Sequence, residues 1–101
     1  MRFLVKVSMP NEPFNSLVKN GSADKIMQQI MGDLKPEAAY FAEMQGKRTG
    51  ILIVNFEQTS QIPAIAEPWF LKFNAVVEFH PCMLAEDLGK ADLLALGKKW
   101  A

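Results

Sequence analysis

Alternating apolar and polar residues predict four β-strands in this chain, because successive side chains of a strand point to opposite faces. The predicted strands lie at residues 2–9, 38–45, 51–56 and 75–80. A turn at residues 46–50 joins the second strand to the third and predicts a β-hairpin. The third strand is apolar on both faces, so both of its sides must be covered. One side packs on helices of the same chain, and the other needs further cover.

Apolar residues at helical spacing fill the segments between and after the strands. The first predicted helix runs over about residues 12–33, long or broken, with an interruption at Gly21. The second begins at Ser60, which supplies its N-cap, and Pro68 is expected to kink or split it. The third covers residues 83–100 at the end of the chain.

The order of elements is therefore β-α-β-β-α-β with an added C-terminal helix. This order predicts an α+β fold of the ferredoxin-like type, with a four-stranded antiparallel sheet and two helices on one face. The chain has 101 residues, which corresponds to one domain over residues 1–101.

Composition and charge exclude several classes of protein. Half of the residues are hydrophobic and 22% are charged, a composition that excludes intrinsic disorder. Eleven basic residues balance eleven acidic ones, which argues against a nucleic-acid partner because neutralising phosphates needs a basic excess. No apolar run is long enough for a membrane span, and no signal peptide is recognised at the start. We therefore expect a soluble, cytoplasmic protein without a membrane partner.

A single cysteine, Cys82, and a single histidine, His80, limit the metal and redox chemistry. One cysteine forms no internal disulfide and suits a reducing compartment. One chain with these residues supplies neither a thiolate zinc site nor a histidine cluster, so no metal and no cofactor are predicted. Cys82 is expected to be a buried, inert thiol, because no third group is evident that would orient His80 as its base.

Several features together resemble the dimeric α/β-barrel superfamily: the βαββαβ order, the doubly apolar third strand, and the segment AEPWF (66–70) before the closing strand VEFH (77–80). The resemblance covers nearly the whole chain at the level of element order. It implies two sheets packed face to face across a two-fold axis, and hence a homodimer. The superfamily includes muconolactone isomerase-like proteins, small cofactor-independent monooxygenases and many bacterial domains. It also implies a ligand pocket between sheet and helices, with Trp69, Tyr40 and His80 as its expected walls.

The candidate catalytic residues, His80 and Glu78, share one face of the fourth strand. The functional interpretation is a polar patch lining a pocket, with His80 as general base or hydrogen-bond donor. The structural interpretation is a solvated edge strand or an ion pair in a dimer interface. A buried unpaired carboxylate is costly, so Glu78 is expected to meet solvent, a pocket, or a cation such as Arg48 or Lys6.

The candidate ligand-binding residues carry hydroxyl, carboxyl, amide and aromatic groups. They are Tyr40, Glu43, Asn55, Trp69 and Phe73. Each has a structural alternative: the aromatic residues as core, and Asn55 as the close of its strand. The predicted turn also carries Lys47 and Arg48, which would suit contact with an anion, although an exposed turn needs no such role.

These observations lead to one functional expectation with two alternatives. The expected function is small-molecule binding, with isomerase or cofactor-independent monooxygenase activity on an apolar or aromatic compound. The alternatives are a non-catalytic ligand sensor and a purely structural dimerisation domain.

Overall fold

The computed structural model describes all 101 residues and has a four-stranded antiparallel sheet at its centre. The strands are β1 (Arg2–Met9), β2 (Ala38–Met44), β3 (Lys47–Asn55) and β4 (Val76–Pro81). They lie side by side in the order β2-β3-β1-β4, and every neighbouring pair is antiparallel. The predicted α+β class is confirmed, and the sheet is consistent with the predicted ferredoxin-like arrangement.

Five helices accompany the sheet. They are α1 (Asn11–Lys19), α2 (Ala23–Leu34), α3 (Ile62–Phe73), α4 (Ala85–Gly89) and α5 (Leu93–Lys99). The first predicted helix is broken into α1 and α2, because Gly21 lies between them at a φ of +81° that a continuous helix does not accommodate. None of the five helices combines the length and apolar character needed to cross a membrane.

The predicted bounds of the hairpin turn, residues 46–50, are wrong. The hairpin turn consists of Gln45 and Gly46, whose φ angles of 54° and 76° belong to a two-residue turn with positive φ at both positions. Such a tight turn lets β3 begin already at Lys47. The first three residues of β3 are the polar Lys47, Arg48 and Thr49, and for this reason the sequence there has the composition of a loop.

The predicted start of the second helix is also wrong, and so is the prediction that Pro68 splits it. Ser60 does not cap α3, because it lies in a 3₁₀ turn, Thr59–Gln61, that precedes the helix. The side chain of Gln61 closes this turn by accepting hydrogen bonds from the backbone amides of Glu57 and Gln58 at 3.2 and 2.9 Å. Pro68 does not split α3, which continues to Phe73 because its buried face holds it on the core.

The hydrophobic core lies between one face of the sheet and helices α1 to α3. Val5, Val7 and Leu52 have no exposed surface, and the same is true of Trp69 and Phe73 from α3. The two α3 rings contact each other with centroids 6.0 Å apart. Burial of this kind supplies most of the folding free energy of a domain of this size.

The opposite face of the sheet, here called the open face, has none of α1 to α3 against it. Its apolar residues from the two central strands are half-buried by their neighbours, and those from the two edge strands are exposed. The half-buried residues are Leu4, Ile51 and Ile53, and the exposed residues are Tyr40, Met44 and Val76. The third strand is therefore apolar on both faces, as predicted, and one of these faces is uncovered.

The C-terminal segment, residues 83–101, is here called the arm. The single helix predicted there is wrong, because α4 and α5 are separated by a turn in which Asp92 has a φ of 51°. The Asp92 side chain then caps α5 by accepting a hydrogen bond from the amide of Ala95 at 3.2 Å.

Candidate functional site

A cleft of about 670 Å³ opens between the β2–β3 hairpin and helices α1 and α2. We call it the hairpin cleft. Its volume falls within the range of about 300–1,000 Å³ that is typical of small-molecule sites. It is open to solvent on one side, so a ligand enters it without movement of the backbone.

Apolar side chains from four different elements form the walls of the hairpin cleft. They are Met9 of β1, Phe14 of α1, Met27 of α2 and Phe41 of β2. Phe14 is anchored on the core through Phe73, with ring centroids 5.0 Å apart. The ring of Phe41 lies against Gly50, where an added Cβ would come within 3.3 Å of it. Glycine at this position therefore allows an exposed aromatic ring to lie close to the sheet.

The cation Arg48 lies in the cleft beside these aromatic rings, and the neighbouring Lys47 also contributes to the lining. The Arg48 guanidinium lies 4.6 Å from the centre of the Phe14 ring, and its Nη1 donates a hydrogen bond to Asn15 Oδ1 at 2.8 Å. These contacts orient the guanidinium without neutralising it. Neither Lys47 nor Arg48 forms an ion pair with a carboxylate. The Arg48 guanidinium therefore remains available to an anionic group in the cleft.

Glu43 is the predicted ligand-binding residue that lines the hairpin cleft. Its Oε2 accepts a hydrogen bond from the backbone amide of Gly46 at 2.8 Å, which ties the carboxylate to the hairpin turn. The charged residues of the lining are Glu43, Lys47 and Arg48, so its formal net charge is positive.

The two predicted catalytic residues, Glu78 and His80, contact each other on the open face of the sheet. Glu78 Oε1 lies 3.1 Å from His80 Nε2, and Glu78 Oε2 lies 3.9 Å from Lys6 Nζ. Of the two cations expected as partners of Glu78, Lys6 is therefore the one present and Arg48 is not. The His80 side chain is 57% exposed, and neither member of the pair lines the hairpin cleft. The catalytic role of the pair stays a prediction.

The three residues expected to form one pocket, Trp69, Tyr40 and His80, lie on both sides of the sheet. Trp69 is buried in the core with Phe73, the other α3 candidate, whereas Tyr40 and His80 are on the open face. Tyr40 is on one edge strand and His80 on the other, about 16 Å apart, since they are separated by three strand spacings and by two residues along the strand. One copy of the chain does not bring these side chains together.

Asn55, the last predicted ligand-binding residue, takes part in a separate polar cluster. Its Nδ2 donates to Glu37 Oε1 at 3.1 Å, and Arg2 donates to both Glu37 oxygens through Nε and Nη2 at 2.8 to 3.1 Å. The hydrogen bond from Arg2, followed by that from Asn55, lowers the pKa of Glu37 below its ordinary value. The same contact with Glu37 raises the pKa of Arg2.

We expect this cluster to be visible in a pH titration. A carboxyl whose pKa is lowered by folding stabilises the protein above its unfolded pKa, and this contribution is lost as the pH falls through the folded pKa. Glu37 should therefore titrate below 4.5, its ordinary value, in an NMR titration of the side-chain carboxyl. In Arg2→Met its pKa should move back towards that value, whereas Lys6→Met should leave it unchanged. An unchanged pKa in Arg2→Met would contradict this assignment.

Sequence reasoning missed the aromatic wall of the hairpin cleft. Phe14 and Phe41 are far apart in the chain and belong to a helix and a strand, so no local pattern pairs them. The available signal was the adjacent Lys47 and Arg48, which suited contact with an anion. The structure places them on β3 at the cleft, where they are not part of the turn itself.

Comparisons with known proteins leave the family open. No known family model matches the chain, and no curated protein matches it at a significant level. The resemblance to dimeric α/β barrels therefore stays a prediction, and the function has to be argued from the geometry of the chain.

Proposed function

We propose that this chain binds a small, largely apolar or aromatic molecule with an anionic group, and that the hairpin cleft is the binding site. The observation that carries this proposal is the position of Phe14 and Phe41 beside the guanidinium of Arg48, which forms no ion pair with a carboxylate. Exposed aromatic walls favour a flat apolar ligand, and the Arg48 guanidinium selects its charged end.

The side chains that line the cleft favour binding of a ligand without catalysis. Its lining contains no histidine, cysteine or tyrosine, and its carboxylate, Glu43, accepts a hydrogen bond from the Gly46 amide. A general base needs to reach the proton that it removes, and Glu78 and His80 are on the other face of the sheet. Non-catalytic ligand binding is therefore the function that we propose, ahead of isomerase or monooxygenase activity.

A matched pair of probes tests this proposal. We expect 2-naphthoate to bind about tenfold more tightly than 2-naphthamide, because a charged hydrogen bond contributes about 1.5 kcal/mol or more. Calorimetric titration of the full chain with each probe measures the ratio. Arg48→Met keeps an apolar stem beside Phe14 and removes the charge, so the ratio should fall towards one.

The control for this experiment is Lys72→Met, which removes one exposed positive charge from α3, outside the lining of the hairpin cleft. It should retain the preference for the carboxylate. Equal binding of the two probes to the unchanged protein, or an Arg48→Met variant that still prefers 2-naphthoate tenfold, would refute the proposed role of the cleft.

The proposed assembly is a homodimer in which two open faces pack against each other. Leu4, Ile51 and Ile53 supply its apolar centre, and their uncovered position in one copy supports the proposal. A two-fold interface presents the same patch twice, so one uncovered face is sufficient to form it. In this assembly Glu78, His80 and Lys6 lie at the interface, which agrees with the structural interpretation of their ion pair.

A further inference from the structure

The arm, residues 83–101, lacks cover within its own copy of the chain. Every residue in it is exposed except Asp87, which is half-buried. Its large apolar side chains are nevertheless numerous, and they include Met83 (66% exposed), Leu93 (57%), Leu94 (71%) and Trp100 (77%). Large apolar side chains exposed in such number within one segment indicate a surface that a partner covers.

The overall dimensions of the chain lead to the same conclusion. Its accessible surface is 7026 Å², whereas a compact monomer of 11.3 kDa exposes about 5,700 Å². The excess of about 1,300 Å² exceeds the roughly 800 Å² that each partner buries in a stable interface. The radius of gyration of 17.1 Å likewise exceeds the approximately 13 Å expected for a compact domain of this length. The chain therefore exposes more surface and is more extended than a compact monomer of its size.

The two helices of the arm also need a surface to pack on. They contain five and seven residues, far fewer than the roughly 12–15 residues at which an isolated helix becomes marginally stable in water. Packing of an apolar side stabilises short helices, and helices α1 to α3 do not supply it here. Acidic and basic side chains in the arm balance: Glu86, Asp87 and Asp92 against Lys90, Lys98 and Lys99.

We propose that the arm packs on a second copy of this chain and so extends the interface of the homodimer. This inference rests on the assembly proposed above and adds the arm to it. A second copy fits because two-fold symmetry covers both arms and both open faces at once. The zero formal net charge of the chain removes the repulsion that would oppose association of identical subunits.

Photo-crosslinking from the arm tests this proposal in the full chain. A benzophenone amino acid replaces Trp100, and ¹⁴N-labelled and ¹⁵N-labelled copies are mixed, allowed to exchange subunits and irradiated. Crosslinked peptides with one ¹⁴N and one ¹⁵N member arise only between copies. We expect such mixed pairs to join the arm to residues 1–82 of the other copy. Crosslinks confined to one isotope, or to other proteins, would overturn the proposal.

Sedimentation supplies the second readout. Trp100→Ala should raise the dimer dissociation constant at least tenfold, as loss of an aromatic interface anchor usually does. Val18→Ala removes a similarly exposed apolar side chain from α1, and should leave the constant unchanged. A dimer that tolerates Trp100→Ala and yields no mixed pairs would overturn the role of the arm and leave the dimer of open faces intact. An unchanged protein that is monomeric at all concentrations would overturn both.

Discussion

Replacing Trp69 with alanine is expected to lower the free energy of unfolding by about 3–5 kcal/mol. The indole has no exposed surface, and its removal leaves a cavity beside Phe73 that the packed core fills only in part. Since a domain of this size is stable by about 5–15 kcal/mol, the variant should be largely unfolded at moderate urea concentrations. Urea titration followed by circular dichroism measures the change.

The neighbouring residue provides the control. Phe70 lies on the same helix but is 41% exposed, so Phe70→Ala should cost much less. A Trp69→Ala variant as stable as Phe70→Ala would show that the indole is not part of the core. It would then favour the role that the resemblance implied for Trp69, as a wall of the ligand pocket.

Replacing Ile53 with lysine is expected to convert the proposed dimer into a monomer. Ile53 is half-buried on the open face, where it pairs in register with Leu4, and a lysine there would place an unpaired charge at the centre of the interface. Such a charge costs several kcal/mol, so the dissociation constant should rise on the order of 100-fold or more. Sedimentation velocity at a series of concentrations measures this constant.

Two controls separate the interface from the fold. Val18→Lys introduces the same charge on the outer side of α1, where the side chain is 52% exposed, and should leave the association unchanged. Leu52→Lys, one residue before Ile53, points into the core and should unfold the chain. An Ile53→Lys variant that is folded and still dimeric would exclude the open face as the interface.

The strands and the apolar nature of both β3 faces were predictable because the alternation of side chains is a local property of the sequence. Leu52 and Val54 on one side and Ile51 and Ile53 on the other follow directly from it. The position of Glu78 and His80 on one face was predictable for the same reason, since two residues of a strand that are separated by one lie on the same side; their hydrogen bond was not predicted.

The turns and caps were less predictable because they depend on backbone angles that many residue types adopt. Gln45 occupies a positive φ in the hairpin turn although glutamine is not typical of that position, so the turn seemed to begin later. Ser60 resembled an N-cap by residue type, while the hydrogen bonds of the Gln61 side chain placed the start of α3 elsewhere.

The candidate site was predictable only in part because it depends on contacts between distant segments. The resemblance implied that Tyr40 and Trp69 share one pocket, and alternation, which groups Tyr40 with one face of β2, does not say which face the helices cover. The register of β2 against β3 decides this, and it also brings Phe41 over Gly50. Helix α1 then adds Phe14, and the cleft emerges from three segments that no local pattern connects.

The most direct test of the central claim is an amide chemical-shift map of the ¹⁵N-labelled full chain titrated with 2-naphthoate. The account predicts that the largest shifts occur around the hairpin cleft, at Phe14, Phe41, Gly46 and Arg48, and that 2-naphthamide shifts them less at the same concentration. Shifts confined to the open face around Glu78 and His80, or an unchanged spectrum at millimolar 2-naphthoate, would contradict it.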